Sequence, residues 1–207
     1  EDLQPVADLI HENKGLFICA ADPVALPLLR SPGDAGADIV VGEGQSLGIP
    51  MSYGGPYAGF MATRIKLARK MPGRIIGRTT DRAGQTGYVL TLQTREQHIR
   101  RNKATSNICS NQALMALANT VYLSLMGEKG FREISSQCYH KSHYLEQKLL
   151  EIPGTSRVFD NDNFFREFAI SFPVSSTEFR DLMIEHGILA GLPLLELGKG
   201  AMLVTVT

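Results

Sequence analysis

Asp38-Ile39-Val40-Val41-Gly42-Glu43-Gly44-Gln45-Ser46-Leu47-Gly48-Ile49-Pro50 is a short apolar run that breaks into a glycine-rich turn. A run this short, bounded by turn formers, reads as a strand covered on both faces. Upstream, Leu16-Phe17-Ile18-Cys19-Ala20-Ala21 is a second such run, ending at Asp22-Pro23. Before it, Leu3, Val6, Ala7 and Ile10 keep helical spacing across residues 2–13. Prolines 23, 27 and 32 punctuate the segment between the two strands. Tyr57 to Thr63 resumes apolar character and is expected to be a further strand. Strands alternating with helical or loop crossovers predict a buried parallel sheet in an α/β layer.

Downstream the pattern changes. Arg74 to Thr80 and Gly87 to Leu92 flank Asp81-Arg82-Ala83-Gly84, which predicts a hairpin over residues 74–93. A basic segment, Arg95 to Lys103, follows. Thr105, Ser106 and Asn107 are N-cap candidates for a helix with Leu114, Leu117, Ala118, Val121, Tyr122 and Leu125 in register, stopped by Gly127. A second helix from Glu128 to Glu151 lines up Phe131, Ile134, Cys138, Ser142, Leu145 and Leu149. Strands are expected at Arg157–Phe159, Arg166–Phe172 and Met202–Val206. A helix opened by a Ser175-to-Glu178 capping box is expected before the last of them. The expected layout is part of a large α/β domain over residues 1–126, then a small α+β domain over residues 127–207.

The 207 residues are 43% apolar and 20% charged, with 21 Lys+Arg against 21 Asp+Glu. Such a composition excludes disordered, collagen-like and disulfide-scaffold classes. Zero net charge argues against a nucleic-acid binder. Three scattered cysteines point to a reducing compartment, and no apolar run approaches a membrane span; a cytoplasmic protein is expected. The chain opens without Met inside a helical pattern and closes in mid-strand, as a fragment of something longer would.

Four constellations invite chemical readings. Gly42-Glu43-Gly44-Gln45-Ser46-Leu47-Gly48 follows a strand as a dinucleotide fingerprint does, but Leu47 stands where the third glycine belongs, and Pro50 and Pro56 prevent the required helix. Cys138, His140 and His143 lie close in sequence, yet at about 100° per residue Cys138 points away from the two histidines, so no metal site is expected. His98, Arg100 and Arg101 in the basic segment offer an anion-binding edge, with a solvated helix face as the alternative. Asp22 ends an apolar strand, where α/β sheets place ligand-binding residues, although a turn aspartate before proline is common.

Read as longer strings, Gly42 to Pro56, Arg69-Lys-Met-Pro-Gly-Arg74, Thr91-Leu-Gln-Thr-Arg-Glu-Gln-His-Ile-Arg-Arg101 and Lys103-Ala-Thr-Ser-Asn-Ile-Cys109 resemble one family. It is the P-protein, or decarboxylating glycine dehydrogenase, of the glycine cleavage system, and the likeness is to subunit 1 of its two-subunit form. The resemblance runs over essentially the whole chain and matches roughly the carboxyl-terminal half of that subunit, short of its last residues.

The resemblance implies a fold-type-I pyridoxal-phosphate transferase-like architecture. It implies a role in decarboxylating glycine and passing the aminomethyl group to the lipoylated H-protein. It also implies a partner, subunit 2. In the family a lysine within His-Lys-Thr-x-x-x-Ile-Pro-His-Gly-Gly-Gly-Gly-Pro holds the cofactor. Laid on that stretch, this sequence puts Gln45 at the lysine and Gly44 at the histidine. A carboxamide nitrogen is not nucleophilic and forms no Schiff base. Pyridoxal phosphate is therefore expected on the partner subunit, with no catalytic residue and no metal assigned to this chain. Gly44, Gln45, Ser46, His98, Arg100 and Arg101 are the candidates to line a shared site. Lys66 and Lys70 lie in an amphipathic stretch and are expected at the surface, Lys103 abuts a helix cap, and none of the three follows a strand into a glycine-rich turn. The alternative is a non-catalytic scaffold subunit with a degenerate fold.

Overall fold

The computed structural model describes residues 2–92, 97–104, 112–160 and 163–207. The chain divides into two compact units, Glu1–Leu125 and Met126–Thr207.

In the first unit, α1 (Gln4–Glu12) starts with Pro5 in its first turn, where the missing N–H costs nothing. It buries Ala7 against Phe17 and Ala37, with Leu3, Ile10, Cys19 and Val40 around them. Strand β1 (Ile18–Ala20) pairs in parallel with β2 (Ile39–Glu43), in register Ile18↔Ile39. Strand β3 (Gly59–Thr63) returns antiparallel to β2, with Glu43 opposite Gly59. The sheet is thus mixed, not all parallel. Residues 44–58 return the chain without a crossover helix, which only an antiparallel neighbour permits. Strands β4 (Ile75–Thr80) and β5 (Thr86–Thr91) form the expected hairpin. The Asp81 carboxylate accepts the Ala83 and Gln85 N–H groups, each at 2.8 Å, and Gly84 takes the left-handed conformation (φ 79°) that closes the turn.

The short helix α2 (Gln97–Arg100) and a 3₁₀ turn, Arg101–Lys103, carry the basic segment. The N-cap candidates at 105–107 lie outside the described residues. Helix α3 (Ala113–Leu150) is broken at Gly127 (φ 61°), where the sequence places its stop. On its first stretch Leu114, Leu117, Val121 and Leu125 are exposed, while Asn119 and Tyr122 meet the Gly44–Gly48 turn. Periodicity marks an apolar stripe without saying what covers it.

The second unit is a four-stranded sheet, order β6-β7-β9-β8, of β6 (Ser156–Arg157), β7 (Glu167–Ser171), β8 (Leu192–Pro193) and β9 (Ala201–Thr205). Phe168 and Ile170 lie opposite Val204 and Met202, so alternate residues of both central strands fill one core. Leu145, Leu149 and Phe179 pack onto it. Helix α4 (Ser176–Glu185) forms without the expected capping box: Ser175 makes no side-chain cap hydrogen bond. Instead Ser176 is fully buried and donates from N (2.9 Å) and Oγ (3.2 Å) to the Lys199 carbonyl. A tertiary acceptor ahead of β9 holds the helix start, so the local cap is not needed.

Candidate functional site

Strand β2 ends at Glu43, whose carboxylate joins the two sides of the following loop. Its Oε1 accepts the Gln45 N–H at 3.0 Å and the Ala58 N–H at 2.8 Å. Gly44 N donates to the Ala58 carbonyl (2.8 Å), Leu47 N to Gly44 (2.9 Å) and Ile49 N to Gln45 (3.1 Å). Leu47 and Ile49 are buried and anchor the turn. A Cβ on Gly44 would collide with the Asn119 side chain and come within 2.8 Å of the Ala58 carbonyl. With its nitrogen turned toward the loop, the Asn119 carboxamide donates to the carbonyls of Leu47 (3.0 Å) and Gly44 (3.1 Å). Gly48 (φ 86°) lies directly on the Tyr122 ring. The turn is therefore held from beneath by two α3 side chains. Beyond it, Ser52, Tyr53, Gly54 and Gly55 all have positive φ, and the Gly55–Pro56 peptide is cis.

Asp22 follows β1 as Gly44 follows β2, and Ala21 N donates to the Val41 carbonyl (2.9 Å), so both lie at the carboxyl edge of the parallel pair. Ligands of open α/β sheets bind at that edge. Asp22 Oδ1 accepts the Val24 N–H at 3.0 Å, which makes it a turn aspartate as well.

The candidate residues fall in two places. Gly44, Gln45 and Ser46 share the turn, with Gly44 buried and the other two half-buried. His98, Arg100 and Arg101 are exposed on α2 and the 3₁₀ turn, and Arg101 takes a left-handed φ of 53°. Gln45 uses its side chain locally: Nε2 donates to the Ile49 carbonyl at 2.7 Å. Glu43 and Asn119 hold the turn, and sequence reading missed both. Nothing in a Gly-Glu-Gly string or an apolar helix marks them.

A family model described as Glycine cleavage system P-protein matches residues 1–207. The chain belongs to that family. It is 51% identical over 200 residues to the probable glycine dehydrogenase (decarboxylating) subunit 1 of Thermomicrobium roseum, covering 97% of this chain and 44% of the relative. It is 52% identical over 213 residues to the protein of the same name from Moorella thermoacetica, covering 100% and 47%. The chain thus spans less than half the length of these relatives. A crystal structure of glycine decarboxylase (P-protein) in inhibitor-bound form superposes with TM-score 0.92 at 44% identity, covering 100% of this chain and 47% of that one. The cysteine desulfurase CsdA of Escherichia coli superposes with TM-score 0.66 at 16% identity, a likeness of fold alone. The architecture is that of fold-type-I pyridoxal-phosphate enzymes.

On the alignment set out above, a cofactor-holding lysine would fall at the turn after β2. Gln45 stands there, with its carboxamide bonded to Ile49. Lys66 is committed elsewhere: its Nζ lies 3.1 Å from the Asp38 carboxylate, and Asp38 precedes β2, at the strand end opposite Gln45. Asp38 is itself buried. The hydrogen bond from His11 (2.7 Å) lowers its pKa most, burial opposes, and Lys66 and the Phe17 N–H (3.2 Å) lower it further, to about 2. Lys70 and Lys103 are exposed. The turn after β2 offers no primary amine to hold pyridoxal phosphate covalently. Cys138 is a core residue, and His143 stacks on Phe164 at 4.1 Å. No group of three His, Cys, Asp or Glu side chains among the described residues could hold a metal. No helix among them is long and apolar enough to cross a membrane.

Proposed function

We propose that the chain is part of a subunit of a glycine-decarboxylating P-protein that works with a second subunit in the cytoplasm. Pyridoxal phosphate, held covalently by the second subunit, supplies the electron sink for decarboxylation. The aminomethyl group then passes to the lipoylated arm of the H-protein. This chain completes the site without anchoring the cofactor. The observation that carries the reading is Gln45, a carboxamide bonded to the Ile49 carbonyl at the carboxyl end of β2, in a chain of this family.

In this reading the Gly44–Ser46 turn forms one wall of the shared site. Arg100 and Arg101 supply planar guanidinium forks suited to a carboxylate such as that of glycine, with His98 beside them. Replacing Arg100 or Arg101 by Ala in the full-length subunit, assembled with its partner, is expected to raise the KM for glycine roughly tenfold. Glycine–bicarbonate exchange measures it, and unchanged KM and turnover in both variants would remove the two arginines from the site. The second subunit alone is expected to show little exchange. Full activity without this subunit would instead favour a scaffold role.

A further inference from the structure

One peptide unit of the turn after β2 is held at both of its polar atoms, by side chains from two different elements. Its carbonyl, that of Gly44, accepts the Asn119 carboxamide of α3 at 3.1 Å. Its N–H, that of Gln45, donates to Glu43 Oε1 at 3.0 Å. The Asn119 side chain faces two carbonyls, of Gly44 and Leu47, and a carbonyl only accepts, so the nitrogen is the atom that meets them. Gly44 N donates to the Ala58 carbonyl (2.8 Å), and Glu43 Oε1 accepts the Ala58 N–H (2.8 Å), which ties the same unit to the start of β3. A planar peptide held at one atom can still swing about its flanking φ and ψ; held at both, it turns only by breaking a hydrogen bond. The turn closes without either side chain, through Leu47 N to the Gly44 carbonyl (2.9 Å) and Ile49 N to the Gln45 carbonyl (3.1 Å). What Glu43 and Asn119 add is the orientation of the plane, which sets the direction in which Gln45 and Ser46 leave the strand.

We propose that Glu43 and Asn119 are positioning residues for glycine decarboxylation: together they fix the Gly44–Gln45 peptide, and so the wall that Gln45 and Ser46 present to the shared site. The inference rests on the reading that this turn lines that site. Both residues act through the backbone, and neither is assigned a contact with substrate. Misplacement by about 1 Å near a reacting centre can cost on the order of a hundredfold in rate, so a peptide held on both edges matters to turnover. Capture of the glycine carboxylate belongs to Arg100 and Arg101 and is left largely intact.

The test assembles full-length subunit 1 with its partner and measures glycine–bicarbonate exchange for Asn119→Ala, Glu43→Ala, the double variant and Glu43→Gln. Each alanine variant is expected to lower kcat roughly tenfold while the KM for glycine stays within about twofold. The double variant should lose barely more than the worse single one, because either side chain alone releases the same peptide. Glu43→Gln keeps an oxygen able to accept both N–H groups and should recover most of the turnover that Glu43→Ala loses. Thr120→Ala is the control: that hydroxyl bonds the Ala116 carbonyl of its own helix (2.8 Å), and kcat should not change. Should an alanine variant fail to fold, Asn119→Leu or Glu43→Met, of similar shape but without the donor or the acceptor, carries the same expectation. Unchanged kcat in both single variants overturns the proposal. So do losses that multiply in the double variant, or a Glu43→Gln as slow as Glu43→Ala, which would give Glu43 a role through its charge. Gln45→Ala and Ser46→Ala separate this failure from that of the underlying reading. If they slow turnover and the Glu43 and Asn119 variants do not, only the positioning role falls; if none of them does, the turn is not part of the site and both fall.

Discussion

Gly44→Ala is expected to destabilise the chain by about 3 kcal/mol and to cut turnover of the assembled enzyme roughly a hundredfold. The added methyl meets two obstacles of different kinds. The Asn119 side chain can move, but the Ala58 carbonyl is backbone, bonded to Gly44 N at 2.8 Å and adjacent to an N–H that Glu43 holds. Relief therefore requires the turn to leave β3, which carries Gln45 and Ser46 with it. Adding Asn119→Ala removes the softer obstacle only and is not expected to restore activity. Gly59→Ala is the control: its nearest neighbour would lie 3.9 Å away, and a change within about 1 kcal/mol is expected. Chemical denaturation and glycine–bicarbonate exchange read the two effects.

Asp38→Ala is expected to cost about 3 kcal/mol, far more than the 0–1 kcal/mol of an exposed ion pair. The carboxylate is 1% exposed and accepts the Phe17 N–H; removing it orphans that buried donor and leaves a void. His11 and Lys66 are accessible enough for water to take over, which keeps the cost below that of a fully buried ion triad. The same group makes stability depend on pH. Its pKa in the folded chain, about 2, lies below the ordinary carboxylate value of 3.8, so the stabilisation is complete above that higher value. It declines as pH falls below about 4 and is essentially gone below about 2. Asp38→Asn is expected to flatten that acid limb of the denaturation midpoint. An acid limb identical to wild type would show that Asp38 does not carry it.

Both effects arise from contacts that a linear reading does not reach. In the sequence Glu43 is one letter in a glycine-rich loop, and its partner Ala58 lies 15 residues on. Asp38 stands in the sequence as the first residue of a strand, while His11 and Lys66 meet it from a helix and from the 3₁₀ segment Ile65–Lys70. What sequence did disclose is local or periodic. The hairpin follows from turn chemistry at Asp81 and Gly84, the break in α3 from Gly127, and the inward face of its second stretch from spacing that includes Cys138 and Ser142. Even there Glu146 sits buried on the same face, neutralised by Arg157 at 2.8 and 2.9 Å, a pairing that periodicity would have placed in solvent. At the start of α4 it is Ser176, bonded to the carbonyl of Lys199 remote in sequence, and not the Ser175–Glu178 motif that ties the helix down. Strand β8, two residues long, carries too little pattern to be seen.

The central claim is that a P-protein chain with Gln45 at the turn does not itself anchor the cofactor. Borohydride reduction of the assembled two-subunit complex loaded with pyridoxal phosphate, followed by peptide mapping, tests it most directly. A single stoichiometric lysine adduct on the second subunit, with none on peptides covering residues 1–207, is the expected result. A stoichiometric adduct on Lys66, Lys70, Lys103 or any other lysine of this chain would contradict it.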